Sequence, residues 1–206
     1  VIVVVGTPRS SPAEDGRVIA AGRAVEIAAA ATDAGSTVEI AGRLGDDGDG
    51  DGVALDLARR GIGHAAVLRV GGLATPRALD ALPTLPGPDL ELALRYLPTY
   101  RVVVVADPLE DEAFAAVAEA ATWADAHLIV VDGDDGRPAA ANLPPAAVTV
   151  FDAPVASGTD SDPGDGGAGD AFAALVGAYA AALDRGEEPG EAFADQASRF
   201  NPERLA

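Results

Sequence analysis

Apolar positions in this chain fall into two spacings. Val1-Ile2-Val3-Val4-Val5, closed by Gly6, and Arg101-Val102-Val103-Val104-Val105-Ala106 are continuous runs dominated by valine. Such runs are the pattern of strands buried on both faces. Thr37–Gly42, Ala65–Val70, His127–Asp132 and Ala147–Phe151 are further strand-length runs. Between them lie alanine-rich stretches with helical spacing. One helix is predicted over Gly22–Ala34 with Gly35 as its stop, and a second over Val53–Arg60, ended by Gly61. Others are predicted over Asp89–Leu97, from Asp107-Pro108 to about Asp125, from Ala171 to the stop at Gly186, and from Pro189 to Phe200. Glycine and proline mark the C-terminal stops and the connections. Polar or glycine-rich connections are expected over Thr7–Arg17, Gly45–Gly52, Gly71–Pro88, Gly133–Pro145 and Gly158–Gly169.

Strands alternating with helices predict an α/β fold of three layers, αβα, with a mostly parallel central sheet. Ligands in such a fold sit at the carboxyl ends of the strands. No internal repeat and no dividing linker is visible, so residues 1–206 are expected to form a single domain.

Composition narrows the chemistry. The formal net charge is -19, and all 14 basic residues are arginine. A surface this acidic repels nucleic acid and anionic membranes, so neither is expected as a partner. Without lysine there is no Schiff-base chemistry, and any phosphate clamp must use arginine or backbone N–H groups. Without cysteine there is no disulfide, thiolate nucleophile or cysteine-based metal site. His64 and His127 are far apart and read as structural. No run is long enough to span a membrane and no signal peptide is visible, so a cytoplasmic chain is expected, as monomer or homodimer.

The candidate chemistry concentrates at Gly166-Gly167-Ala168-Gly169-Asp170, which runs directly into the predicted helix from Ala171. A glycine-rich turn opening a helix can hold an anion on free backbone N–H groups. Asp170 beside that anion is placed to take a proton from an attacking hydroxyl. Equally, Asp170 is an ordinary helix N-cap. Asp47-Gly48-Asp49-Gly50-Asp51-Gly52 matches the start of a calcium-binding loop, but Ala58 stands where the bidentate glutamate belongs. Asp160, Asp162 and Asp165 form a second acidic cluster. Trp123 and Tyr179 are expected in the core, and Arg77 and Arg137 are the loop arginines nearest the ligand edge.

Three segments in order resemble the ribokinase-like (PfkB-type) carbohydrate kinases. Ala21-Gly22-Arg23-Ala24-Val25-Glu26-Ile27-Ala28 resembles the family's Gly-Gly-x-x-x-Asn-x-Ala helix start. Gly42-Arg43-Leu44-Gly45-Asp46-Asp47, followed by Gly50, Leu57 and Gly61-Ile62, is similar to its Gly-x-Val-Gly-Asp-Asp run. Gly167-Ala168-Gly169-Asp170-Ala171-Phe172 resembles its Gly-Ala-Gly-Asp-x-Phe signature.

The resemblance implies a ribokinase-like fold, shortened and divergent, with its lid reduced or absent. It implies ATP and Mg²⁺, with phosphoryl transfer to a hydroxyl of a sugar or nucleoside. Gly167, Ala168 and Gly169 would form the anion hole and Asp170 the base. Gly22, Arg23, Glu26 and Ser11 would face the acceptor; Glu26 replaces the family's Asn, and Ser11 stands nearest its usual Asp. No Asn-x-x-Glu of the kind that organises Mg²⁺ is found between Val131 and Gly167, so the metal ligands stay unknown. The alternatives are a degenerate relative that binds a nucleotide or sugar for regulation, and an acidic calcium-binding module.

Overall fold

A computed structural model describes residues 1–97, 99–132, 148–152 and 168–199. Six strands form one parallel sheet: β1 (Ile2–Val5), β4 (Val38–Gly45), β5 (Gly63–Val70), β6 (Val102–Val105), β7 (His127–Asp132) and β8 (Val148–Asp152). Their order across the sheet is β5-β4-β1-β6-β7-β8. The valine runs are the two central strands, β1 and β6, paired Ile2 to Val102 through Val5 to Val105. All eight of those side chains are buried, because helices cover both faces of the sheet.

Alternate side chains feed two cores. Ile2, Val4, Ile40, Val104 and Ile129 pack against α1 (Arg23–Asp33), α2 (Gly48–Arg59) and α5 (Ala168–Asp184). Val3, Val5, Val103, Val105 and Val130 pack against α3 (Gly87–Arg95) and α4 (Asp111–Trp123). A last helix, α6 (Pro189–Arg199), packs on α5. The three-layer αβα expectation holds.

Four local expectations change. Thr7–Arg17 is not a plain turn. It contains β2 (Arg9–Pro12) and leads to β3 (Val18–Ala21), an antiparallel pair in register Arg9 to Ala21 and Ser11 to Ile19. This small sheet stands where the lid was expected to be reduced or absent. Ser10 N–H donates to Pro76 O at 2.8 Å and Ala78 N–H to Ser10 O at 3.0 Å, so part of the Gly71–Pro88 connection joins it as a third rung.

The aspartate-glycine connection is already helical from Gly48. Asp47 caps α2, accepting from Gly50 N–H at 2.8 Å, from Thr75 N–H at 2.8 Å and from the Thr75 hydroxyl at 2.7 Å. Asp51 pairs with Arg69 at 2.7 Å. These carboxylates are committed to a cap and an ion pair, and the calcium-loop reading falls with them.

Helix α5 begins at Ala168, three residues before the predicted Ala171. Trp123 is 91% exposed, whereas Tyr179 is buried. Alanines fill the inward face of α4 and leave the final-turn indole outside. Among the described residues no helix is long and apolar enough to cross a membrane. The expected loop Gly133–Pro145 and residues 158–167 of the expected loop Gly158–Gly169, with Arg137 and the Asp160, Asp162, Asp165 cluster, lie outside the described residues, while Ala168 and Gly169 are helical.

Candidate functional site

The strand order reverses between β1 and β6: the chain leaves β1 toward β4 and β5 and later returns to β6, β7 and β8. In an open parallel sheet that switch point, at the carboxyl edge, is where a crevice forms. Gly6 follows β1 there, and Ala106 and Asp107 follow β6. Thr7 N–H donates to Asp107 Oδ2 at 2.7 Å, with both residues almost fully buried. Burial pushes the Asp107 carboxyl up, although the Thr7 N–H and the charges of Arg23 and Arg9 pull the other way. A Cβ on Gly6 would lie 2.7 Å from Ala24 Cβ and 2.8 Å from Asp107 Oδ2, so only glycine lets the start of α1 settle onto this edge.

Asp107 is the residue that sequence reasoning did not single out as functional. It was expected to start a helix, which instead begins at Asp111. The available signal was a carboxylate immediately after a four-valine strand, a position at the carboxyl edge of a central strand.

Three of the predicted acceptor residues converge on the same edge. Gly22 precedes α1 with φ 98°, a conformation that favours glycine, and no side chain caps the helix. Arg23 is the first helical residue, and its Nη1 reaches Ala106 O at 3.4 Å. Glu26 lies one turn on. It keeps access to solvent, yet desolvation pushes its carboxyl up, the charge of Asp170 adds to the rise, and Arg23 and Arg9 oppose it.

Asp170 stands exposed in the first turn of α5, which packs along α1. The structure thus brings Glu26 and Asp170 within electrostatic reach of each other. Gly169, beside Asp170, is exposed, and a Cβ there would meet nothing within 4 Å. Ala168 is the first residue of α5, and Gly167 lies outside the described residues.

Arg9 enters from β2. Its side-chain stem lies 3.3–3.7 Å from where a Gly22 Cβ would stand, and its Nη1 donates to Ala78 O at 2.6 Å. Ser11 is two residues along the same strand, so alternation places it on the face of Arg9, opposite the buried Ser10. No hydrogen bond joins the Ser11 side chain to the cluster among the described residues. Arg77 points away to Asp49 at 3.7 Å.

The histidines are structural. His127 Nε2 meets Thr149 Oγ1 at 2.8 Å, which meets the Tyr179 hydroxyl at 2.9 Å, tying α5 to β7 and β8. His64 Nδ1 lies 3.4 Å from Ile62 O.

The arrangement defines a class first. It is a doubly wound α/β fold with carboxylates and arginines at the switch point, beside the start of α5. Known structures then give the fold its family likeness. Ribokinase from Arabidopsis thaliana, complexed with ribose and ATP, superposes with TM-score 0.60 at 15% identity over 97% of this chain and 90% of that one. The tetrameric inhibited form of phosphofructokinase-2 from Escherichia coli gives TM-score 0.64 at 14% identity over 99% and 94%. A putative phosphofructokinase from Staphylococcus aureus matches over 66% of this chain but only 54% of its own, with 16% identity and TM-score 0.48. The fold is ribokinase-like, and the structures it resembles are sugar kinases. No family model matches the sequence, and no curated protein matches it.

The positive end of the α5 dipole lies at Ala168, where a helix start favours an anion. Magnesium fares differently. No group of three or more His, Asp or Glu side chains that could hold a metal occurs among the described residues. No Mg²⁺ ligand is assigned among the described residues.

Proposed function

We propose that this chain is a shortened, divergent ribokinase-like kinase that transfers a phosphoryl group from ATP to a hydroxyl of a small metabolite, a sugar or nucleoside. The observation that carries this reading is that α5, with Asp170 in its first turn, packs along α1, with Glu26 in its first turn, on one face of the sheet at the β1/β6 switch point. ATP, when bound, supplies the phosphoryl group.

The chain's own residues then have separable tasks. Backbone N–H groups at Gly167, Ala168 and Gly169 hold the transferring phosphate, where the helix dipole favours its charge. An Asp170 carboxylate oxygen accepts the proton from the attacking hydroxyl. Asp107, fixed through Oδ2 by Thr7 N–H, offers its other oxygen to an acceptor hydroxyl. Glu26 occupies the place of an amide donor in the family. A carboxylate cannot donate as an amide does, so Glu26 can only accept from acceptor hydroxyls. Gly22, Arg23 and Ser11 border the same acceptor space.

The test is calorimetric titration with ATP and Mg²⁺, followed by a phosphoryl-transfer screen over sugars and nucleosides for wild type and Asp170→Asn. Loss of a positioned base is expected to lower kcat about 10²–10⁴-fold with ATP still bound. Absence of ATP binding to the wild type would sink the kinase reading. ATP binding without Asp170-dependent turnover would support a regulatory binder instead.

A further inference from the structure

Helices α3 and α4 pack together on one face of the sheet and lead into β6 and β7. Because those strands are parallel, both helices run back against them, and their C-terminal ends lie together at the amino edge of the sheet. That place is on the other face and at the opposite edge from the β1/β6 crevice. A cavity of about 730 Å³ opens between these two helix ends. Its size is that of a small-molecule site. Leu94 and Leu97 supply apolar lining, and Ala116, Ala120 and Ala124 follow one another at single turns along α4, presenting only methyl groups where larger side chains would fill the space.

The charges at this cavity are unbalanced. Glu91 and Glu119 line it, and neither carboxylate forms an ion pair or accepts a hydrogen bond among the described residues. The ends of α3 and α4 add the negative poles of two helix dipoles. Arg95 also borders the cavity, in the last turn of α3, where a cation answers the dipole of its own helix; the last turn of α4 has no basic residue. Trp123 stands one turn after Glu119 on the same side of α4, lines the cavity and is 91% exposed. Half-buried Tyr100 donates its hydroxyl to Ala120 O at 3.2 Å, which holds its ring in the wall. A lone exposed apolar side chain is ordinary. An exposed indole beside unpaired carboxylates, at the rim of a cavity, is the combination that takes up ammonium groups.

We infer that this cavity is a second binding site, for a small organic cation whose alkylated ammonium group rests against the Trp123 indole while Glu91 and Glu119 balance its charge. It is separate from the crevice and does not depend on the kinase reading. The formal charge of -19 draws cations toward the surface, and the indole and the cavity select among them.

Trp123 is the only tryptophan in the chain, so intrinsic fluorescence of the full chain reads the site directly. The probes are choline, its uncharged isostere 3,3-dimethylbutan-1-ol and the zwitterion betaine, titrated at constant ionic strength. Choline is expected to change the emission saturably, with half-saturation at about millimolar or below. It is expected to bind about tenfold tighter than the alcohol, the scale of one cation–π contact and two exposed carboxylates. Betaine is expected to bind more weakly than choline, because its carboxylate meets two others. Glu91→Gln and Glu119→Gln are each expected to weaken choline binding about two- to fivefold. Trp123→Leu, read by calorimetry, is expected to weaken it by about the same factor. All three side chains are exposed, and thermal melts check that each variant folds. Glu14→Gln, which removes an exposed carboxylate between β2 and β3, is expected to leave choline binding unchanged.

No saturable change with choline, or equal affinity for choline and the alcohol, would overturn the inference. So would a loss in Glu14→Gln equal to that in Glu119→Gln, which would assign the binding to the general charge of the surface. Betaine binding tighter than choline would overturn it as well, in favour of a zwitterion held through Arg95.

Discussion

Replacing Asp107 by Asn removes one buried charge while leaving an oxygen able to accept from Thr7 N–H, now 2.7 Å from Oδ2. Burial raises the Asp107 carboxyl in the folded chain above 3.8, the ordinary aspartate value. Between 3.8 and the raised value the folded state therefore binds more protons than the unfolded state. Unfolding free energy then falls as pH rises through that window and levels off above it.

Below pH 3.8 both wild type and Asp107→Asn carry a neutral side chain at this position, and their stabilities should be close. As pH rises, the variant should gain on the wild type. Every tenfold difference in proton affinity between folded and unfolded chain widens the gap by about 1.4 kcal/mol, or roughly 3–5 °C in Tm for a chain of this size. Asp107 also raises the Glu26 carboxyl slightly, so its removal relaxes that group in the same direction.

Urea denaturation of both proteins at fixed ionic strength, from pH 3.5 to 8, measures the gap. Asp107→Ala is the control for the hydrogen bond. It leaves the buried Thr7 N–H without its acceptor and should be about 1–3 kcal/mol less stable than Asp107→Asn at every pH. A gap between wild type and Asp107→Asn that stays flat, or closes as pH rises, would refute the reasoning. It would mean that Thr7 N–H and the two arginines outweigh burial.

Other substitutions test the supporting structure. Asp47→Ala removes the α2 cap and both bonds from Thr75, a combined loss of about 2–3 kcal/mol by denaturation at neutral pH. Its pH dependence runs opposite to that of Asp107. The hydrogen bonds from Thr75 and Gly50 hold the Asp47 carboxyl below 3.8, so its stabilisation is present above that value and lost as pH falls through the lowered one. Gly177→Ala would place a Cβ 2.6 Å from Ala30 Cβ and 2.7 Å from Ile27 O, wedging α5 from α1. A melt should show a loss of about 1–3 kcal/mol despite the gain in helix propensity of about 1 kcal/mol. Because α1 carries Glu26 and α5 carries Asp170, transfer activity in the same sample should fall further than the folded fraction.

The layers of the fold were legible because β1 and β6 are buried on both faces, and valine runs advertise that burial. The β2–β3 pair was not. Arg9-Ser10-Ser11-Pro12 has no apolar alternation, and its strand character comes from antiparallel pairing with Val18–Ala21, reinforced by backbone bonds to Pro76 and Ala78 more than sixty residues away. Trp123 was misplaced because a large ring among alanines reads as core, while the turn that exposes it depends on where α4 stops. Of the site, Gly22, Arg23, Glu26 and Asp170 were found through local motifs. That the charge of Asp170 reaches Glu26 was invisible, since it follows from the close α1–α5 packing that Gly177 permits. Asp107 and Arg9 were missed as ligand groups for a related reason: each gains its meaning from a partner brought in by topology.

The two neighbouring helix starts, α1 and α2, separate structural from functional use of the same chemistry. At α2, Asp47 satisfies the free N–H groups with a side-chain bond at 2.8 Å, and the surrounding charges pair, Asp51 with Arg69 and Asp49 with Arg77. That end is finished. At α1 the cap is absent, Gly22 takes φ 98°, two arginines lack carboxylate partners among the described residues, and two carboxyls sit above their usual pKa. Each departure costs stability by itself, and stability alone would favour the arrangement seen at α2. Their concentration at the β1/β6 switch point, and not at the α2 start, is what supports the proposed site there.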